Sequence, residues 1–192
     1  MLFKQMMIAA ITIACSLTFS SQVFAQNNAH TVQKGESLYI IANQYGISID
    51  QLKAMNNIEK NEIYSGEQLK LPVTPDESGK DLLARLVEAE AKGESYAGKV
   101  AVATVVLNRV SSDQYPDSIY GVIYDGYQFS PVLNGTINQP ASEESKRAVE
   151  EALNYQGYDN ESLFFYNPDK ATSEFLSDQE VTTVIGNHVF LR

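Results

Sequence analysis

Apolar residues recur at helical spacing through much of the chain, most clearly within residues 81–93. Leu83, Leu86 and Val87 follow the three-to-four residue spacing that marks the buried face of an amphipathic helix. Glu90 falls on the same face. Burial disfavours a charged carboxylate and raises its pKa, which suits a proton donor that works near neutral pH. Glu90 is therefore a candidate functional residue, although a solvated or ion-paired glutamate would give the same pattern.

Residues 30–73 carry the pattern of a small, separate module. Short strands are predicted over 30–33 and 68–71, with two amphipathic helices between them. Ser37 and Ser48 stand where each helix begins and are typical N-caps. The order strand, helix, helix, strand within about 45 residues predicts a compact βααβ unit.

Residues 81–192 form a second, larger predicted unit, joined to the first by the polar linker 74–80. Ser78 and Asp81 have the spacing of a capping box that would open the first helix. The run that follows Ser95 is apolar on nearly every side, which indicates a buried helix, although its β-branched residues leave a strand possible. Shorter elements are predicted after it: helices over 118–124 and 142–155, and strands over 163–166 and 188–191.

The segment 125–140 is long and irregular, with two glycines, two prolines and a hairpin signal at Asn134 and Gly135. A loop of this length inside a compact domain is usually functional.

The first 25 residues have the three-part layout of a secretory signal: Lys4, an apolar run over 6–19, and a polar stretch that ends at Ala25. We expect cleavage after Ala25 and no membrane span in the mature protein, which would be secreted or associated with the cell wall. A retained anchor is the alternative, although the run is short for a span of about 20 residues. Lipid attachment at Cys15 is a further alternative.

The formal net charge of −10 argues against nucleic acid, since phosphate binding needs clusters of lysine and arginine. Cys15 is the only cysteine and lies in the predicted signal, which excludes a cysteine peptidase. His30 and His188 are too few for a zinc amidase, so no metal or cofactor is expected. A serine hydrolase that pairs Ser130 or Ser173 with His188 lacks the GxSxG elbow.

HTVQKGESLYIIANQYGISIDQLKAMNNI, followed by IYSGEQLKLP, resembles the LysM module over residues 30–73. The resemblance implies binding to glycans that contain N-acetylglucosamine, such as peptidoglycan. It also implies a groove between the loop after the first strand and the loop before the second. The residues that would line this groove are Gly35, Glu36, Ser37, Leu38, Tyr39, Asn57, Ile58, Ile63 and Tyr64.

AEAKGE, GKVAVATVVLNRV, QFSPV, LFFYNPDKATSEF and IGNHVF resemble, in this order, the catalytic domain of spore cortex-lytic and cell wall hydrolases of the SleB/CwlJ type. The resemblance covers about residues 82–192. It implies a lysozyme-like, mainly helical α+β domain that cuts the glycan strand of peptidoglycan between N-acetylmuramic acid and N-acetylglucosamine. The essential acid of the family corresponds to Glu90. Lys92 stands where an arginine is frequent in the family.

Two chemistries fit one acid at Glu90. A lytic transglycosylase uses a single glutamate as acid and then as base, and the C6 hydroxyl of the substrate closes on C1. An ordinary glycosidase adds a second carboxylate, for which Glu94 is the candidate. Further residues are hypothesised to contact sugar, although each also suits a turn or strand end: Gln128, Phe129, Tyr166, Asn167, Thr172 and His188.

The sequence therefore predicts a lytic transglycosylase that acts on peptidoglycan. A lysozyme-type hydrolase, an amidase on the same polymer and a non-enzymatic wall-binding protein stay open as alternatives. The substrate, vegetative wall or spore cortex, stays open too, as does a regulatory protein partner.

Overall fold

The computed structural model describes residues 29–159, 162–171 and 173–192. The predicted signal, Cys15 and Thr172 lie outside the described residues. The first module contains two short strands that flank two helices: β1 (Ala29–Thr31), α1 (Leu38–Tyr45), α2 (Ile49–Met55) and β2 (Gln68–Lys70). β1 and β2 pair antiparallel, with His30 opposite Leu69. The predicted βααβ order is confirmed.

A serine N-cap begins each of the two helices of this module. The Ser37 hydroxyl accepts a hydrogen bond from the Ile40 N–H at 3.3 Å, and the Ser48 hydroxyl accepts one from the Gln51 N–H at 3.0 Å. Because a side-chain oxygen satisfies an unpaired amide of the first turn, each helix begins at a defined residue. A small core of its own lies between the helices and the strands: Val32, Leu38, Ile41, Ala42, Leu52, Leu69 and Leu71.

The second module begins with helices α3 (Glu77–Glu90) and α4 (Tyr96–Val110). The cap of α3 is Asp76, whose carboxylate accepts a hydrogen bond from the Gly79 N–H at 2.8 Å. The predicted capping box at Ser78 is therefore wrong, and the helix begins inside the predicted linker 74–80. Aspartate caps a helix as well as serine does, so the first suitable cap in the chain starts the helix.

Residues 118–140 contain more helix than the sequence indicated. α5 (Ile119–Tyr124) agrees with the prediction, and α6 (Ser130–Asn134) and a 3₁₀ turn (Thr136–Asn138) follow it. The hairpin predicted at Asn134 and Gly135 is wrong: Gly135, at φ +80°, ends α6 instead. A left-handed glycine closes helices and hairpins alike, so the dipeptide does not distinguish the two.

The chain then forms α7 (Glu143–Asn154), β3 (Phe164–Tyr166), α8 (Glu174–Ser177), β4 (Val181–Ile185) and β5 (His188–Leu191). The three strands make an antiparallel sheet in the order β3, β5, β4, with Phe165 opposite Phe190. β4 was not predicted. The sequence VTTVI has strand composition, and among the described strands it pairs with β5 alone, at an edge of the sheet.

The core of the second module lies where α3, α4 and α7 pack against one another. α4 is buried on most of its surface, and Val102, Ala103, Val105 and Val106 have no exposed area. The prediction of a buried central helix is confirmed. The described residues have the predicted α+β class, with a small βααβ module and a mainly helical second domain.

Candidate active site

Three carboxylates lie at the end of α3 and in the turn that follows it. Glu88 and Glu90 belong to the last turn of the helix, which ends at Glu90. Gly93, at φ +87°, then reverses the chain toward Ser95, the N-cap of α4, and leaves Glu94 in the connection. The environments of these three side chains differ, and the difference determines what each can do.

Glu88 is bound to the start of α7. Its carboxylate accepts hydrogen bonds from the Ser145 hydroxyl at 2.6 Å, from the Ser142 N–H at 3.2 Å, and from the Ser142 hydroxyl. Hydrogen bonds from Ser142 and Ser145 hold the pKa of Glu88 below its usual value. An ionised carboxylate at a helix N-terminus stabilises that helix. Glu88 therefore links α3 to α7 through these hydrogen bonds. This role was not predicted from the sequence.

Glu94 is bound to the turn between β4 and β5. One carboxylate oxygen accepts a hydrogen bond from the Asn187 N–H and the other accepts one from the Asn187 side-chain amide, both at 3.1 Å. These bonds lower the pKa of Glu94. At Gly186 an added Cβ would lie 2.6 Å from a Glu94 oxygen, so the turn closes directly over the carboxylate. Glu94 stays ionised and holds the turn in place.

Glu90 has neither kind of anchor. Its side chain is half-buried, and the described residues offer it no hydrogen bond or ion pair. Burial alone raises the pKa of Glu90 from 4.5 to about 7. Near neutral pH the carboxyl is present in both protonation states, so it can donate a proton and later take one back.

His188 lies on β5, next to the turn that Glu94 holds. It is 6% exposed, and its ring meets the Phe165 ring edge-on at 5.4 Å between centroids. Its Nδ1 atom is buried without a hydrogen-bond partner among the described residues. Burial lowers the pKa of His188, so the ring is neutral at physiological pH. The ring packs into the sheet and exposes little surface to a ligand.

Gln128 and Phe129 belong to a cluster around a buried arginine. Arg109 donates to the Leu163 carbonyl at 2.7 Å and to the Gln128 side-chain oxygen at 2.9 Å. Its guanidinium lies 5.2 Å from the Phe129 ring centroid, and Phe129 is 3% exposed. The Gln128 amide in turn donates to Asp125 at 3.1 Å. This cluster fixes the loop before α6, and both predicted sugar contacts already have protein partners.

The end of β3 contributes the remaining predicted contacts. Tyr166 is partly exposed and lines a cavity of about 420 Å³ together with Pro168, Ser173 and Glu174. Asn167 is 9% exposed, and its side-chain oxygen accepts a hydrogen bond from the Asp169 N–H at 2.9 Å, which makes a turn. Tyr166 therefore keeps a surface for a ligand, whereas Asn167 shapes the backbone beside it.

Glu36 stabilises the first loop of the βααβ module. Its carboxylate accepts hydrogen bonds from the Gln33 N–H at 2.6 Å and from the His30 ring at 2.7 Å. These contacts lower the pKa of Glu36, first through the Gln33 N–H. Gly35, at φ +91°, turns the same loop, and Ser37 caps α1. These three predicted glycan contacts therefore have structural roles in the loop and the helix cap.

The other predicted glycan contacts divide by exposure. Leu38 is buried, and Ile58 and Ile63 pack against the small core. Tyr39 and Tyr64 are 65% and 70% exposed. Asn57 is also exposed, in the left-handed conformation at φ +53°. The structure leaves Tyr39, Tyr64 and Asn57 as the predicted contacts that present polar and aromatic surface.

No helix within the described ranges has the length and apolar character needed to cross a membrane. Among the same residues, no group of three or more histidine, cysteine, aspartate or glutamate side chains is arranged to hold a metal ion.

Comparison with known families agrees with this architecture. The cell wall hydrolase family matches residues 93–191, which is more than half of the chain. The chain belongs to the cell wall hydrolase family. It also carries a LysM domain, matched over residues 30–72. The hydrolase match begins three residues after Glu90 and therefore does not include it. Support for a catalytic role of the Glu90 carboxyl comes from its environment in the structure.

The relatives of this family member include enzymes named for the spore cortex. The spore cortex-lytic enzyme of Halalkalibacterium halodurans is 41% identical over 109 residues, which are 57% of this chain and 33% of the relative. The chain thus spans about a third of the length of that relative.

Two solved catalytic domains share the fold. The catalytic domain of the Bacillus cereus SleB protein is 37% identical with a TM-score of 0.58, and the alignment covers 63% of this chain and 94% of the domain. The catalytic domain of the germination-specific lytic transglycosylase SleB from Bacillus anthracis is 36% identical with the same TM-score, over 64% and 100% of the two chains.

Proposed function

We propose that this chain is a secreted peptidoglycan-cleaving enzyme that cuts the glycan strand between N-acetylmuramic acid and N-acetylglucosamine as a lytic transglycosylase. Glu90 is the acid and then the base. The observation that carries the proposal is the contrast among three neighbouring carboxylates: Glu88 and Glu94 are hydrogen-bonded with lowered pKa values, whereas burial raises the pKa of Glu90 to about 7. Active sites often hold carboxyl groups with very different pKa values, and the group with the raised pKa acts as the acid.

The reaction needs only the proton of Glu90. The protonated carboxyl donates to the glycosidic oxygen, and the bond from that oxygen to C1 of the muramic residue breaks. The C6 hydroxyl oxygen of the same residue then bonds to C1, and its proton returns to Glu90. The products are a 1,6-anhydromuramic end and a free 4-hydroxyl on N-acetylglucosamine, and no water is consumed.

The position of Glu94 supports this outcome over hydrolysis. A retaining or inverting glycosidase needs a second carboxylate, as nucleophile or as base for water. Both oxygens of Glu94 accept hydrogen bonds from Asn187, so this carboxylate is already engaged in holding a turn. A single free carboxyl is what intramolecular closure by the C6 hydroxyl requires.

The LysM domain supports peptidoglycan as the polymer to which the enzyme binds. Its exposed Tyr39 and Tyr64 offer ring faces to a sugar, and Asn57 offers an amide. The names of the relatives support cortex peptidoglycan as the first substrate to assay. Both the catalytic domain and the LysM domain would then act on one polymer outside the cell.

Product analysis tests the proposal. Purified peptidoglycan is digested with the wild-type chain and with Glu90→Gln, which keeps the size of the side chain but cannot ionise. We expect anhydromuramic ends from the wild type and a loss of about 10²–10⁴-fold in rate for the variant. Glu94→Gln is the matched control and retains cleavage.

Other products would contradict the proposal in distinct ways. Reducing muramic ends would indicate a lysozyme-type hydrolase, and released stem peptides would indicate an amidase. No soluble product from a folded wild-type chain would indicate a wall-binding protein. Undiminished cleavage by Glu90→Gln would exclude Glu90 as the acid.

A further inference from the structure

The LysM domain and the hydrolase domain are joined by specific contacts beyond the linker. Gln156, which is 5% exposed, follows α7 in the hydrolase domain. Its side-chain oxygen accepts a hydrogen bond from the Val73 N–H at 2.7 Å, and its amide donates to the Val73 carbonyl at 2.9 Å. A buried glutamine that pairs with both backbone groups of one residue holds the chain between the domains as a neighbouring strand would.

Close backbone packing reinforces this junction. At Gly157, φ is +95°, and an added Cβ would lie 2.6 Å from Met55 Cγ and 2.8 Å from the Met55 nitrogen. Only glycine fits where α2 of the LysM domain lies against this turn. The Gln51 side chain, on the same helix, donates to the Leu153 carbonyl at 3.4 Å. The two domains are therefore held in a fixed orientation.

This orientation creates a groove to which both domains contribute, with a volume of about 380 Å³. The LysM side provides Met55, Asn57 and Lys70. The hydrolase side provides Asn108 from α4 and the turn that follows α4, residues 111–114. The volume falls within the range of about 300–1,000 Å³ that is typical of small-ligand sites.

The lining has the chemistry of a sugar subsite. Asn57 and Gln114 are exposed and offer amide groups, and Ser111 offers a hydroxyl. Met55 and Leu163 add apolar surface. Amides and hydroxyls can donate and accept hydrogen bonds toward sugar hydroxyls and an acetamido group, while apolar side chains pack against the face of a pyranose ring.

The groove also borders residues that belong to, or adjoin, predicted sugar contacts in both domains. Asn57 is a predicted LysM glycan contact and at the same time lines the groove. On the other side, Leu163 immediately precedes β3, which ends at Tyr166 in the second cavity. The groove therefore borders both the predicted LysM contact Asn57 and the residue that leads into β3.

We propose that this inter-domain groove is an additional glycan subsite that binds an N-acetylated sugar of the strand held by the LysM domain. The inference rests on the proposed function, because it takes the glycan of peptidoglycan as the ligand. The subsite connects the two domains into one continuous binding surface. It makes affinity increase with the length of the glycan beyond what the LysM domain alone provides.

The test compares short and long oligomers of N-acetylglucosamine. The full chain carries Glu90→Gln to prevent turnover, and binding of the tetramer and the octamer is measured by calorimetry. Gln114→Trp fills the groove from an exposed position. Gln44→Trp, at an exposed position of α1 that does not line the groove, is the matched control. Thermal unfolding verifies that both variants fold.

We expect the octamer to bind more tightly than the tetramer, and Gln114→Trp to lower octamer affinity about tenfold, as the loss of one or two hydrogen bonds would do. Gln44→Trp should leave it unchanged. The inference is overturned if Gln114→Trp binds the octamer as tightly as the control, or if the parent protein does not distinguish the two lengths. Cleavage by Glu90→Gln would instead refute the proposed function, and the two failures remain distinguishable.

Discussion

The burial of Glu90 predicts that Glu90→Gln stabilises the protein, and that it does so only above acidic pH. The pKa of Glu90 rises from 4.5 to about 7 on folding. Each unit of pKa corresponds to about 1.4 kcal/mol of differential stabilisation. As the pH rises from below 4.5 to above 7, the folded wild type therefore loses about 3 kcal/mol relative to its unfolded chain.

The direction follows from which state ionises first. Below pH 4.5 the carboxyl is protonated in both states, so it contributes no pH dependence. Between pH 4.5 and 7 the unfolded chain ionises while the folded one holds its proton, which favours unfolding. Above pH 7 both are ionised and the loss stays constant. Glutamine does not ionise, so the free energy of unfolding of the variant lacks this pH dependence.

Urea denaturation followed by circular dichroism measures the effect. The free energies of unfolding of wild type and Glu90→Gln are compared near pH 4 and near pH 8, and the advantage of the variant should be about 3 kcal/mol larger at the higher pH. Glu94→Gln is a control for which we expect the opposite pH dependence of stability. Because hydrogen bonds lower the pKa of Glu94, its ionised form stabilises the fold above pH 4.5 and this contribution is lost in acid. A pH-independent difference for Glu90→Gln would refute the assignment of a raised pKa.

Three other outcomes are expected. The rate of peptidoglycan cleavage should fall about tenfold per pH unit above pH 7, where Glu90 loses its proton, and a profile flat to pH 9 would contradict this. Glu88→Ala should lower the free energy of unfolding by about 2 kcal/mol or more, since three donors at the start of α7 lose their acceptor; urea titration measures it. Gly157→Ala should accelerate proteolysis near residues 74–80, because its Cβ cannot fit against Met55, and an unchanged cleavage pattern would count against a fixed junction.

Features with a local cause were predicted well. The serine caps at Ser37 and Ser48 were correct because capping depends on a side chain and the amides two or three residues later. The buried face that carries Glu90 followed from helical periodicity. The raised pKa of this residue is consistent with the reasoning from the sequence.

Features that depend on distant partners were not predictable. Glu88 and Glu94 are close in sequence to Glu90, but their partners are more than 50 and 90 residues away, at Ser142 and Asn187. Nothing local distinguishes a carboxylate that is bound across the fold from one that is free. Arg109 was missed for the same reason, since its partners come from two later segments.

The strand order has a consequence for how the hydrolase domain folds during synthesis. β5, at His188–Leu191, is the middle strand of its sheet, and β3 and β4 meet only through it. The turn that binds Glu94 lies directly before this strand. While residues 187–191 are still inside the ribosome, the sheet lacks its middle strand and Glu94 lacks its hydrogen-bond partner Asn187. The hydrolase domain therefore cannot complete its sheet, or the contact that holds the turn after α3, until residues 187–191 have been synthesised and are free to fold.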